Sequence, residues 1–113
     1  MQYMILIHND EDAYRARPAA EAAASMAAYG AYSEALAKAG KMVGGARLDR
    51  AALGKLVTVR GSEARVVNGP YAETREELGG YYIIDAASEA EAIEWAKKCP
   101  GAAHGTVELR PCM

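Results

Sequence analysis

Residues 3–8, Tyr-Met-Ile-Leu-Ile-His, form a short apolar run that ends in the polar turn Asn9–Asp10–Glu11–Asp12. Tyr3, Ile5 and Ile7 fall on one face of the predicted strand, Met4 and Leu6 on the other. A strand apolar on both faces is central and needs two covers: the chain's own helices, and a partner subunit. The pattern then changes period. Over residues 18–39, Ala22, Met26, Tyr29, Ser33 and Leu36 recur at helical spacing, and Ala19, Ala23 and Ala37 widen the stripe. Pro18 suits the first turn and Gly40 the position just past the end. Glu34 and Lys38 make an i,i+4 pair outside. Gly30 costs this helix about 1 kcal/mol against alanine.

Shorter strands follow. Met42–Leu48 is interrupted by Gly44–Gly45, while Lys55–Arg60 and Ala64–Asn68 flank Gly61–Ser62–Glu63 as a hairpin. Thr74 with Glu77 reads as a capping box opening a short helical turn that Gly79 ends. Tyr81–Ala86 is a second strand apolar on both faces. Ser88 with Glu91 caps a helix over 89–99, stopped by Pro100–Gly101, with Ala92, Ala96 and Cys99 inward and Ile93 and Trp95 at the margins. Thr106–Arg110 is the last strand. With the 55–68 hairpin set aside as an insertion, the order is βαββαβ. That predicts one α+β domain over residues 1–113, a ferredoxin-like two-layer sandwich. Helices on one side only leave a sheet face for a second copy, so a homodimer is expected.

Composition narrows the partners. Phenylalanine is absent, so tyrosine and methionine carry bulk in a chain that is 51% hydrophobic. A net charge of -2 with scattered basic residues, and a mostly acidic cluster at Glu73–Glu77, argues against nucleic acid. The apolar start lacks a basic leader and is too short to span a membrane. Two cysteines make no disulfide framework. A cytoplasmic protein with no membrane partner is the expectation.

Several segments together resemble a known family. They are Asn68-Gly69-Pro70-Tyr71-Ala72-Glu73-Thr74-Arg75-Glu76 with Leu78-Gly79-Gly80-Tyr81-Tyr82-Ile83-Ile84-Asp85, the opening Tyr3–Ile7, Met26–Gly30, Gly44–Gly45, Ala92–Ala96, Cys99–Gly101 and Gly105–Pro111. This ordered set is similar to the YCII-related family, in the branch named for its DGPF motif. The resemblance implies a dimeric α/β barrel, in which two four-stranded sheets face each other around a central cavity. That fold serves small lactone isomerases, dehydrochlorinases, monooxygenases and non-enzymatic binders, so it does not select a function. It also implies a sigma factor of the extracytoplasmic-function class as a protein partner, since members of this branch are often encoded beside one and some are fused to one. Two positions depart from the pattern. Asn68 stands where the motif has aspartate and cannot trade protons. Pro18–Met26 lacks the histidine that other YCII-related proteins carry near the start of the first helix, so a His–Asp dyad is not carried over.

The candidate chemistry is sparse. The Asn68–Thr74 loop is turn-forming, and its alternative role is a pocket rim with Glu73 as acid or base and Tyr71 as a wall. His8, on the Met4 and Leu6 face, is either a proton shuttle or a solvated strand end beside Asp10 and Asp12. Of Tyr29, Tyr32, Tyr81 and Tyr82, Tyr81 is the best pocket candidate, and Glu108 and Arg110 share a face and can pair. The Cys99-x4-His104-x7-Cys112 spacing fits no zinc site, and no phosphate loop, dinucleotide fingerprint or serine elbow is present. Gly44–Gly45 and Gly79–Gly80 read as bulges or helix ends. No metal and no cofactor are expected. The leading reading is a homodimeric small-molecule-binding protein with a regulatory or accessory role, its pocket between the sheet and the Asn68–Gly80 segment and its ligand held by His8, Asn68, Tyr71, Glu73, Thr74, Gly80 and Tyr81. The rivals are a cofactor-free isomerase or lyase using Glu73 or His8, and an interaction module for a sigma factor.

Overall fold

A computed structural model describes residues 1–113. The chain runs β1 (Gln2–Asn9), α1 (Glu11–Arg15), α2 (Ala19–Lys38), β2 (Met42–Arg47), β3 (Lys55–Arg60), β4 (Glu63–Asn68), β5 (Glu77–Asp85), α3 (Glu89–Lys98), α4 (Gly101–His104) and β6 (Thr106–Pro111), with a 3-10 turn at Ala51–Leu53 before β3. The main sheet has the order β2-β5-β1-β6 and every pairing is antiparallel. Helices cover one face, consistent with the ferredoxin-like α+β arrangement, and β3–β4 forms a separate two-stranded ribbon.

The alternation in β1 divides its environment as its sequence implies. Tyr3, Ile5 and Ile7 are buried, and together with Ile84, Tyr32, Leu36, Ala92 and Cys99 they make the core beneath the helices. Met4, Leu6 and His8 lie on the opposite face and stay half-exposed. Their register mates Ile83 and Tyr81 on β5 and Arg110 and Glu108 on β6 extend that face across the sheet. No helix covers it.

Caps set the helix limits. Lys41 N–H donates to Leu36 O and Gly40 N–H to Ala37 O, a Schellman closure of α2 that uses the left-handed Gly40 (φ 70°). Ser88 accepts from Glu91 N–H, and Glu91 in turn accepts from Ala87 N–H. Asp10 caps α1 by accepting from Ala13 N–H.

Three local expectations change. The helical turn at Thr74–Gly79 is absent, because β5 begins at Glu77 and its backbone pairs with β1, while Leu48 N–H donates to Gly79 O. Sheet pairing satisfies several backbone groups where a single cap would satisfy one. The short helices α1 and α4 are additions to the expected βαββαβ order. The apolar stripe of α2 is only partly used: Leu36 is buried, with Tyr32 beside the stripe, whereas Met26 is 68% exposed and Ala22 is also exposed. Alanines in the first two turns offer too little apolar area to draw that end onto the sheet.

Both glycine pairs mark bulges. Between Met42 and Gly44 the β2–β5 register slips by one residue, leaving Val43 unpaired. Between Ile7 and His8 the β1–β5 register slips so that Gly79 is the extra residue. Each slip inverts the alternation beyond it. The first turns Gly45 and Arg47 toward the helix side, and the second turns Glu77 there.

Candidate functional site

The N-terminal half of α2 stands off the β2–β5 edge and leaves a cleft of about 510 Å³ on the helix side of the sheet. Small residues on both walls account for it. Gly45 and Gly80 leave the floor without side chains, and Ala22 gives the helix wall little depth. The floor cannot be filled by a simple substitution at Gly45, where a Cβ would lie 2.7 Å from Tyr81 O. Met26 and Tyr29 from α2, Ile7 from β1 and Leu48 after β2 supply apolar surface.

The inner end is fastened by a 2.8 Å hydrogen bond between the Ser33 and Tyr82 hydroxyls. Burial pushes the Tyr29 and Tyr82 hydroxyls above the usual phenol range. Both are neutral at physiological pH, and Tyr82 is already bonded to Ser33.

The outer end is formed by α1 and the residues after it. Glu11 lines the cleft, and its carboxylate accepts from Ala51 N–H at 2.8 Å, tying α1 to the turn after β2. Arg15 reaches Asp49 at 3.5 Å. The Arg17 guanidinium lies 3.7 Å over the Tyr14 ring, and its Nε donates to Tyr14 O. Arg47, turned inward by the Val43 bulge, lines the same cleft, and its guanidinium forms no hydrogen bond or ion pair with the rest of the chain. Three arginines thus face one carboxylate across an apolar floor.

A smaller, wholly polar depression adjoins this cleft and shares Glu11 with it. Asp10, Asp12, Thr74, Arg75 and Glu77 complete its lining. Loss of solvent, followed by the negative charges of Glu11, Asp12 and Glu73, holds the Glu77 carboxyl above the usual carboxylate range. One of its oxygens, Oε2, is shielded and unpaired. No group of three or more His, Cys, Asp or Glu side chains is placed to hold a metal ion.

The residues singled out from the sequence separate into four places. Gly80 and Tyr81 border the cleft, although Tyr81 pairs with Leu6 and so belongs to the open sheet face. Thr74 lines the polar depression, where its hydroxyl donates to Glu76 O, and Glu73 adds its charge nearby. Asn68 ends β4 and accepts from the Lys55 ammonium, and Tyr71 is 81% exposed just beyond the cis Gly69–Pro70 bond. His8 lies on the open face, 3.3 Å from a Glu108 oxygen. Arg110 first and His8 second hold the Glu108 carboxyl below its ordinary range.

Sequence reasoning missed Tyr14, Arg15, Arg17 and Arg47. Only Asp10, a good N-cap ahead of Glu11 and Asp12, signals the helix that brings Tyr14 and Arg15 to the cleft. The Gly44–Gly45 pair announces a bulge but not its consequence for Arg47. The site's lining provides shape, apolar area, neutral hydroxyls and positive charge, which suit binding. Its one carboxylate, Glu11, is engaged by a backbone amide.

No helix is long and apolar enough to cross a membrane. A YCII-related domain model matches residues 1–113. An uncharacterized protein of Rhizobium meliloti (strain 1021) is 34% identical over 113 residues, covering 98% of this chain and 91% of that protein. A match that runs from the first residue to the last, together with this level of identity, shows that the chain belongs to the YCII-related family.

Proposed function

We propose that this YCII-related protein is a homodimeric small-molecule-binding protein, with its ligand held in the cleft between α2 and the β2–β5 edge. The cleft itself carries the reading. Its volume of about 510 Å³ falls within the roughly 300–1,000 Å³ typical of ligand pockets. Glycine and alanine walls keep it from filling with the protein's own side chains. Gly80 and Tyr81 belong to its border, and Thr74, at the end of the Asn68–Thr74 segment, lines the polar depression that shares Glu11 with the cleft. The homodimer is supported by the open sheet face, where Met4, Leu6, Tyr81 and Ile83 are only half-buried in the single chain. A second sheet laid on that face gives the dimeric barrel and leaves the cleft outside the interface. The regulatory or accessory role, with a sigma factor of the extracytoplasmic-function class as partner, rests on the likeness to the DGPF branch.

Thermal unfolding against a panel of small lactones, phenols, keto acids and metabolite acids tests the cleft. Ligand at a hundred times its dissociation constant adds about 2.7 kcal/mol, a rise of several degrees. A hit that Ala22→Trp abolishes, by filling the helix wall, confirms the site. A hit insensitive to Ala22→Trp but lost in Glu73→Gln moves the site to the rim, and no hit at all removes the small-molecule reading.

A further inference from the structure

We infer that the cleft selects an amphipathic carboxylate: an organic acid whose single anionic head meets Arg47 and whose aliphatic or aromatic body lies against Met26, Tyr29 and Leu48. The inference rests on the cleft being the ligand site and goes on to assign the ligand's class.

The charge balance is local. The chain as a whole carries a net charge of -2, yet the cleft presents three arginines and one carboxylate. That carboxylate, Glu11, is bound to Ala51 N–H. Two of the arginines are engaged: Arg15 with Asp49, and Arg17 with the Tyr14 ring and carbonyl. Arg47 alone has its whole fork of donors free. It reaches the cleft only because the Val43 bulge reverses the alternation of β2. A free guanidinium at the edge of an apolar cavity matches a carboxylate by two parallel hydrogen bonds.

One free fork suits a monoanion better than a phosphate dianion, which would need the other two arginines released from their partners. The apolar wall argues for the body. Met26 is 68% exposed and gains a cover only if something apolar occupies the cleft. Neutral Tyr29 and Tyr82 line the inner end without adding charge that would repel an acid.

Isothermal titration of the full chain with octanoate, octanol and inorganic phosphate tests this. The expected result is one octanoate per chain, with octanol and phosphate at least tenfold weaker. Because a hydrogen bond to a charged group contributes about 1.5–3 kcal/mol, Arg47→Gln should weaken octanoate about tenfold or more and leave octanol unchanged. Arg47 is exposed and unpaired, so the variant should fold; an unchanged circular dichroism spectrum checks that. Octanol binding as tightly as octanoate, with both abolished by Ala22→Trp, overturns the carboxylate inference while the cleft stands. Phosphate binding as tightly as octanoate overturns it in favour of a phosphorylated ligand. Failure of both octanoate and octanol overturns it too, and removes the cleft as well if no compound of the wider panel responds to Ala22→Trp.

Discussion

Leu36→Ala and Met26→Ala make a matched test of whether α2 is held at one end only. Leu36 is 0% exposed and packs with Tyr32, Ile84 and Ala92, so truncation removes a fully buried side chain and leaves a cavity. Such changes cost about 2–5 kcal/mol. A value of about 3 kcal/mol is expected, since Tyr32 and Leu36 are the only buried residues of a 20-residue helix. Met26 lies ten positions earlier on the stripe the sequence predicts to be apolar, yet it is 68% exposed. Its truncation should stay within about 0.5 kcal/mol. Urea unfolding at one fixed protein concentration reads both. With a slope of about 2 kcal/mol per molar, Leu36→Ala moves the midpoint down by roughly 1.5 M while Met26→Ala leaves it in place. A loss of about 2 kcal/mol or more for Met26→Ala refutes the reasoning. It would mean that α2 rests on the sheet along its whole length and that the cleft is closed in solution.

Further outcomes follow from other contacts. Ile83→Glu puts a charge at the centre of the open sheet face, so sedimentation should show wild-type dimer and variant monomer at micromolar concentration; a monomeric wild type would sink the barrel arrangement. Tyr82→Phe removes the 2.8 Å bond to Ser33 and should cost about 1 kcal/mol in the same urea assay, with no cost indicating that water already serves both groups. Lys41 first and Ala87 N–H second hold the Glu91 carboxyl below its ordinary value of 4.5. A depressed carboxylate stabilises the fold above its unfolded value and loses that contribution as pH falls through the folded one. Glu91→Gln should therefore melt below wild type at pH 7, and the gap should close below pH 4.5; a gap constant from pH 7 to 3 contradicts this.

Much of the frame could be read from residue pattern alone because it is written locally. The alternation of β1 and β5, the Ser88–Glu91 cap and the Gly40 stop each involve residues within a few positions of one another. What escaped depends on distant partners. The five residues of α1 are too few to show a helical period and are fixed partly by Glu11 meeting Ala51, 40 positions away. Thr74 and Glu77 carry a sound capping pattern, yet β5 claims Glu77 because Asn9 lies across from it. The idle half of the α2 stripe could not be seen either. Periodicity reports which residues could be buried together, and the size of Ala22, Gly45 and Gly80 decides that they are not. Arg47 is the sharpest case, since its face is set by one unpaired residue four positions earlier.

The two bulges also give the two faces of one thin sheet different characters. Tyr81 and Tyr82 are neighbours in sequence and part at the sheet plane: Tyr81 pairs with Leu6 on the open face, and Tyr82 pairs with Ile5 and reaches Ser33 above the core. A regular β5 and β2 would carry that strict alternation to both strand ends. It would place Arg47 and Glu77 on the open face, among Leu6, Tyr81 and Ile83, where charges oppose close packing of a second sheet. With one extra residue in each strand, both charges move to the helix side. The open face then keeps its apolar centre, with Glu108 of β6 paired to Arg110 and to His8 of β1, while Arg47 enters the cleft and Glu77 the polar depression. The same two insertions therefore keep Arg47 and Glu77 off the apolar centre of the open face and bring Arg47 into the cleft.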